Sequence, residues 1–190
     1  MHELEYPFDA DKIMAQKKKM RRELLAEDRN WIQKRIAILG GSTTSDIRLI
    51  MELFLLNYGI KPTFYESEYN QFYQDSMFDN VELAQFKPDI IYIHTSNRNI
   101  TTYPVLTDSK EQVDELINEE MKKFIGIWEN LAKKYHVPVI QNNFEMPQTR
   151  LLGNRDFYDI HGATNFLMRL NQLFAEYAQT HDNFYICDIN

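Results

Sequence analysis

The chain has 190 residues, of which 44% are hydrophobic and 13% aromatic, so it is long and apolar enough for one globular domain with a buried core. Its 21 basic and 28 acidic residues give a net charge of −7, which argues against a basic nucleic-acid-binding surface. The single cysteine, Cys187, excludes a disulfide framework and favours a reducing, cytoplasmic location. The N-terminal residues are charged throughout, and no stretch is apolar enough for a membrane span, so we expect no membrane partner.

Apolar periodicity and turn residues predict helices and strands that alternate along the chain. A first helix is expected over about Asp11–Gln33, packing through Ile13, Met20, Leu24 and Trp31. The predicted strands are Arg35–Leu39, Lys61–Glu66, Asp89–His94, Val137–Gln141 and Phe184–Ile189. The predicted helices between them are Thr44–Tyr58, Val81–Phe86, a long one from the Ser109 and Gln112 capping box to Tyr135, and one marked by Phe166 to Tyr177.

Strands separated by helices are typical of right-handed crossovers and a mostly parallel sheet. The sequence therefore predicts a three-layer, doubly wound α/β domain with about five strands in the order 2-1-3-4-5. The expected organisation is a helical extension at 1–33 followed by the α/β domain at 34–190. A doubly wound domain normally covers its fifth strand with a further helix, so we interpret the sequence as a domain truncated before its last helix.

Ligands of open parallel sheets bind beyond the carboxyl ends of the strands, and the first such stretch here is Gly40–Thr44. Two glycines permit a sharp turn, after which Ser42 lies near the N-terminus of the next helix. The free N–H groups there suit a nucleophilic hydroxyl or an anion. The alternative is a tight turn whose polar residues only cap the helix. The stretch is neither a Walker A loop nor a GxGxxG turn.

The next two strand ends are also polar or aromatic. Glu66–Phe72 after the second strand is rich in aromatic residues, and it either forms a pocket wall or packs as a lid. In His94–Asn99, after the third strand, Asn97 is suited to donate its amide to an oxyanion and Arg98 to bind a carboxylate or phosphate. His94 is either a catalytic base or a structural histidine at the strand end.

A long polar connection, Asn142–Gly162, follows the fourth strand, and loops of this length are usually functional or mobile. It contributes Asn143 and Glu145 as further candidates for substrate contact. His161, two residues after Asp159, is either part of a catalytic triad or a residue that begins the next helix. The five histidines and one cysteine have no metal-binding spacing, so no metal site is expected.

Several of these stretches in combination resemble the N-terminal domain of FkbH-like proteins. They are GGSTT at 40–44, YESEYNQ at 65–71, FKPD at 86–89 and NNFEMPQTRLLGN at 142–154, and the similarity extends from about Lys34 to Asn190. FkbH-like proteins are phosphatases of subfamily IIIC of the HAD superfamily, found in polyketide and capsular-polysaccharide biosynthesis. The resemblance implies that the present chain is their SGNH-hydrolase-like domain and that the phosphatase domain is not part of it.

The resemblance also implies roles for individual residues. Ser42 matches the SGNH nucleophile, and Asn97 matches the asparagine of the oxyanion hole. The glycine expected after the second strand is absent, since Ser67 or Asn70 occupies its region. The residues expected to bind the oxyanion or substrate are Gly41, Thr43, Asn70, Asn97, Arg98, Asn99 and Asn143. The catalytic Asp-x-x-His is expected beyond Asn190, and Mg²⁺ is implied only for the absent phosphatase domain, so we expect no cofactor in this one.

Three functional hypotheses remain open from the sequence. The first is handling of an acyl or glyceryl ester or thioester, linked to an acyl carrier protein, with Ser42 as nucleophile and a base from downstream sequence. The second is a non-catalytic module that docks a partner or positions substrate for the attached phosphatase. The third is an anion or nucleotide binder at the Gly40–Thr44 turn. We do not expect independent turnover by this chain.

Overall fold

A five-stranded parallel sheet forms the centre of the computed structural model, which describes residues 1–190. The strands are β1 (Ile32–Gly40), β2 (Ile60–Glu66), β3 (Ile90–His94), β4 (Val139–Asn142) and β5 (Phe184–Cys187). The helices are α1 (Ala10–Leu25), α2 (Ser45–Asn57), α3 (Phe72–Met77), α4 (Val81–Phe86), α5 (Lys110–Tyr135) and α6 (Ala163–Thr180). The sheet order is β2-β1-β3-β4-β5 and every neighbouring pair is parallel, which confirms the predicted fold class.

The main core lies between one face of the sheet and the helices α3 to α6. Trp128 of α5 is buried there, with its ring 4.8 Å from the ring of Phe174 and 4.5 Å from that of Phe184. The predicted capping box starts α5, since the Ser109 side chain accepts from Gln112 N–H and the Gln112 side chain accepts from Ser109 N–H. Aromatic packing of this density fixes the positions of α5 and α6, and so of the loops that precede them.

The opposite face is covered by α2, with α1 packed on its outer side. Ile47, Met51 and Leu55 of α2 face the sheet, whereas Leu53 and Leu56 pack against α1. Beyond α2 this face carries an apolar groove of about 600 Å³ whose sheet residues are Ile36, Ile90, Tyr92, Ile140 and Cys187. The groove is apolar, whereas the polar residues of interest lie at the strand ends. None of the helices combines the length and hydropathy needed to cross a membrane.

The first helix is shorter than predicted. It ends at Leu25 instead of continuing to Gln33, and Ile32 and Gln33 begin β1 by pairing with Ile60 and Lys61 of β2. Ile13, Met20 and Leu24 are buried as expected. Trp31 lies after the helix and is half-buried, with the Arg29 guanidinium 4.9 Å from its ring centroid. The prediction failed here because strand pairing is a long-range contact that helical spacing does not reveal.

Three loops contain local structure that the sequence did not predict, and one of them is the loop after β3, with a 3-10 turn at Asn97–Asn99. The aromatic stretch after β2 continues into α3, whose first residue, Phe72, is buried against Phe124. This part of the stretch is therefore core, while Tyr69 before it is exposed. The connection after β4 includes a 3-10 turn at Gly153–Phe157.

Candidate active site

The ends of β1, β2 and β3 are tied together at the turn that follows β1. Gly40 is in register with His94 of β3, and Gly41 N–H donates to the His94 carbonyl oxygen at 2.7 Å. On the other side, Gly40 N–H donates to Ser67 Oγ at 2.7 Å. These bonds fix the backbone of the residues directly before Ser42.

Both positions of the turn require glycine, because neither has space for a Cβ atom. A Cβ atom at Gly40 would lie 2.8 Å from Thr44 Cγ2, and one at Gly41 would lie 2.4 Å from Asn99 Oδ1. Distances under 3 Å do not occur for real Cβ atoms, so any other residue would displace these side chains. The turn therefore brings the backbone before Ser42 into direct contact with the loop after β3.

Ser42 is half-buried, and its hydroxyl forms no hydrogen bond within the chain, so the oxygen is available to a substrate. Thr43 is exposed. Thr44, the N-cap of α2, is buried and donates its hydroxyl to Glu66 Oε2 at 3.0 Å. The same carboxylate pairs with Arg48, whose Nε lies 2.6 Å from Glu66 Oε1.

Asn99 connects the turn to the loops after β2 and β3. Its Nδ2 donates to the Gly41 carbonyl oxygen at 2.9 Å and to Asn70 Oδ1 at 3.0 Å, while its Oδ1 accepts from Ser96 N–H at 2.8 Å. Asn70 has a φ of 59°, a left-handed conformation that favours glycine or asparagine. Gly41, Asn70 and Asn99 thus lie together beside Ser42.

Asn97 is directed away from this turn. Its Nδ2 is 3.4 Å from the Glu145 carbonyl oxygen, and its N–H points between the two Glu145 carboxylate oxygens at 3.3 Å. Asn97 therefore joins the loop after β3 to the loop after β4, and Asn99 takes the place beside Gly41. Arg98 between them is exposed, and its guanidinium has no ion pair or hydrogen bond within the chain.

His94 is half-buried at the end of β3, where its Nδ1 lies 3.3 Å from the Tyr92 hydroxyl. Burial lowers the pKa of His94 and raises the pKa of Tyr92. The ring is therefore neutral at pH 7, as a general base requires. It forms no hydrogen bond with Ser42.

Asn143 and its neighbour Asn142 connect strand ends. Asn142 is buried, accepts from Thr95 N–H at 2.7 Å and donates to the Thr95 carbonyl oxygen at 2.6 Å. Asn143 donates to Asp188 Oδ1 at 2.7 Å and accepts from Ile189 N–H at 2.8 Å. The first of these bonds lowers the pKa of Asp188. In this structure Asn143 therefore holds the end of β5 and does not reach the Ser42 turn.

The two ring nitrogens of His161 each have a hydrogen-bond partner within the chain. Its Nε2 lies 3.0 Å from the Asp108 carbonyl oxygen, and its Nδ1 lies 2.7 Å from Asp159 Oδ1. These bonds raise the pKa of His161. The backbone and ring of His161, with Arg155, lower the pKa of Asp159 to about 2. The pair connects the loop before α6 to the loop before α5, and neither side chain forms a hydrogen bond with Ser42.

Sequence reasoning missed a buried amide cluster beneath the site. Gln141 Nε2 donates to Thr95 Oγ1 at 2.9 Å, and Gln141 Oε1 accepts from Trp128 Nε1 at 3.2 Å. The available signal was the two amides that end a buried strand, since buried amides require partners. The structure contains no cluster of three or more His, Cys, Asp or Glu side chains arranged for a metal ion.

Comparison with known proteins places the chain in a family. No curated protein matches its sequence. A solved structure of the N-terminal part of a Bacteroides fragilis protein, described as containing a phosphatase domain and complexed with Mg, is 20% identical with a TM-score of 0.72; the match covers 91% of this chain and 45% of that one. This chain thus spans less than half of that neighbour. A GDSL-like lipase from Bacteroides thetaiotaomicron is 16% identical with a TM-score of 0.45, covering 92% of this chain and 78% of that one.

The first of these neighbours shares the fold of this chain. The sequence profile described as "FkbH, N-terminal domain" matches residues 35–190, which is most of the chain. The chain therefore belongs to the FkbH N-terminal domain family.

Proposed function

We propose that this domain handles an acyl or glyceryl group, held as an ester or as a thioester on a carrier protein, with Ser42 as the nucleophile. The observation that carries the proposal is the unengaged Ser42 hydroxyl, half-buried directly after a turn that packs against the Asn99 amide. A nucleophile at a strand-to-helix turn next to amide donors is the arrangement used for acyl transfer on several folds.

The chemistry requires donors for the negative charge that develops on the carbonyl oxygen. Ser42 N–H has no hydrogen-bond acceptor in the chain, so it is free to donate. Asn99 Nδ2 becomes the second donor when it exchanges its bond to the exposed Asn70 side chain for the oxyanion. Ser42 Oγ forms the bond to the carbonyl carbon, the alkoxide or thiolate of the substrate leaves, and the serine proton passes to a base.

No candidate base of this chain forms a hydrogen bond with Ser42. His161 is held by Asp159, and His94 contacts Tyr92. We infer that the base comes from outside residues 1–190, from the attached phosphatase domain or the segment leading to it. The setting we propose is cytoplasmic polyketide or capsular-polysaccharide-type biosynthesis, with the carrier protein and the phosphatase domain as partners.

The test is labelling of the 190-residue chain by a fluorophosphonate, mapped by mass spectrometry, with and without added imidazole. Imidazole supplies the missing base, so we expect slow labelling of Ser42 that imidazole accelerates. Ser42→Ala abolishes the label. Ser45→Ala, which removes an exposed hydroxyl three residues away at the start of α2, is the matched control and keeps it.

A non-catalytic positioning module is the second candidate, and the lack of a base in contact with Ser42 favours it. It predicts no label on Ser42 under any of these conditions in a folded chain, and that result would remove the acyl-transfer proposal. An anion or nucleotide site at the same turn is less well supported, because Asp46 and Glu66 already bring two carboxylates to the start of α2.

A further inference from the structure

A polar cleft adjoins the proposed active site, and its charged residues take no part in the chemistry proposed at Ser42. The cleft has a volume of about 330 Å³ and shares Asn70 and Asn99 with the site around Ser42. Gln74, Arg98, Thr101 and Lys123 complete its polar lining. No carboxylate lines the cleft, although the chain as a whole carries a net charge of −7.

The two positively charged side chains of the cleft differ in whether they are already paired within the chain. Lys123 is fully engaged, since its Nζ lies 2.6 Å from Glu120 Oε2 and donates to the Asn99 carbonyl oxygen and to Thr101 Oγ1, both at 3.1 Å. Arg98 has no ion pair, and its guanidinium retains all of its hydrogen-bond donors. Lys123 therefore stabilises the residues that line the cleft, and the unpaired guanidinium of Arg98 is the charged group available to bind a ligand.

We propose that this cleft binds an anionic oxygen group, a carboxylate or a phosphate, carried by the molecule whose carbonyl group reacts at Ser42. A guanidinium binds either group through two parallel hydrogen bonds, which is the reason for preferring these ligands. Because Asn99 lines the cleft and also contacts Gly41, one substrate can occupy both places. The inference about the substrate rests on the proposed function, whereas binding of the anion itself does not.

The experiment is an NMR titration of the ¹⁵N-labelled chain with inorganic phosphate and, separately, with succinate, which distinguishes the two sources of the anionic group. We expect saturable shifts at the Asn99 amide and at the backbone of residues 98–101 for at least one of them. Arg98→Gln is expected to weaken that binding about tenfold, the effect of losing a charge-assisted hydrogen bond. Arg22→Gln, which removes an exposed and unpaired arginine of α1, is the control and leaves it unchanged.

Shifts confined to the lysine-rich part of α1, no saturable binding of either anion, or equal affinity in Arg98→Gln and the unmodified chain would each overturn the proposal. Comparison of this titration with the fluorophosphonate labelling of Ser42 separates the two claims. If Ser42 is never labelled but the cleft binds an anion through Arg98, the acyl-transfer function fails and the anion site stands. If Ser42 is labelled and no anion binds, only the anion site fails.

Discussion

Asn99 and Gly41 are in direct contact: the Asn99 amide nitrogen donates to the Gly41 carbonyl oxygen at 2.9 Å, and no Cβ fits between them. Asn99 cannot easily move aside, because Ser96 N–H holds its oxygen and Asn70 accepts from its nitrogen. The contact therefore couples the backbone before Ser42 to the position of the amide that we propose as an oxyanion donor.

Gly41→Ala is expected to destabilise the domain. The added Cβ would lie 2.4 Å from Asn99 Oδ1, and relieving this overlap breaks the hydrogen bonds of Asn99. Overpacking of this kind costs about 1–3 kcal/mol. Urea denaturation followed by circular dichroism measures the free energy of unfolding, and the loss should appear as a lower midpoint with an unchanged slope.

Two further variants identify the cause of that loss. Gly126→Ala lies in α5, where the nearest atom to an added Cβ is Met77 Cε at 4.0 Å, so it should stabilise the chain by about 0.5–1 kcal/mol. Asn99→Ala combined with Gly41→Ala should restore part of the stability lost in Gly41→Ala. Equal stability of Gly41→Ala and the unmodified chain would contradict the contact.

The fold could be predicted because its signals are local. The helix predicted over Thr44–Tyr58 is α2, which is followed by Gly59 with a φ of 79°, and the predicted capping box at Ser109 starts α5. The prediction is wrong where contacts between residues far apart in the sequence determine the secondary structure. Ile32 becomes strand only because it pairs with Ile60, and α3 forms where Phe72 packs against Phe124. Neither contact has a signature in the neighbouring sequence.

The sequence predicted which loops form the site, but it did not predict which side chains of those loops face each other. Polar residues after β1 and β3 do meet at one edge of the sheet. Which asparagine faces Gly41 depends on the 3-10 turn at Asn97–Asn99, which directs Asn97 to Glu145 and Asn99 to the turn. The spacing of the residues is compatible with either orientation, so sequence position alone selected Asn97.

Asn142→Ala is expected to be among the most destabilising single changes at the strand ends. It leaves both the N–H and the carbonyl oxygen of Thr95 without partners in a buried position. An unsatisfied buried polar group costs about 1–3 kcal/mol, so the loss should reach about 2–4 kcal/mol. Urea denaturation measures it. Asn165→Ala, which removes a single exposed bond to the Phe157 carbonyl oxygen, is the control and should cost less than about 1 kcal/mol.

The His161–Asp159 pair should make stability depend on pH. The pKa of His161 is raised above its usual 6.5, so its contribution is fully present below pH 6.5 and is lost as the pH rises through the raised value. The pKa of Asp159 falls from 3.8 to about 2, so its contribution is present above pH 3.8 and is lost as the pH falls through about 2. The pair therefore contributes most between these limits.

His161→Gln tests this dependence and the role of the histidine together. The difference in free energy of unfolding between the unmodified chain and the variant should be largest near pH 5 and should shrink at pH 8.5. Labelling of Ser42 should be unchanged, because His161 contacts Asp159 and Asp108 and not the serine. A flat difference across this pH range would argue against the ion pair, and loss of labelling would restore His161 as a candidate base.

Glu120→Gln is expected to strengthen anion binding in the cleft beside Asn99. Glu120 is buried, accepts from Thr101 N–H at 2.7 Å and balances the charge of Lys123. Glutamine retains an oxygen for Thr101 but removes the negative charge, so the Lys123 ammonium becomes available to a phosphate. For a charge at the distance between Glu120 and the bound anion, and an effective dielectric constant between that of protein and that of water, the expected gain in affinity is about fivefold.

The control is Glu119→Gln, which removes an exposed charge from the neighbouring residue and should change the affinity far less. An equal gain in both variants would indicate a general effect of net charge, and no gain in Glu120→Gln would show that Lys123 does not face the bound anion.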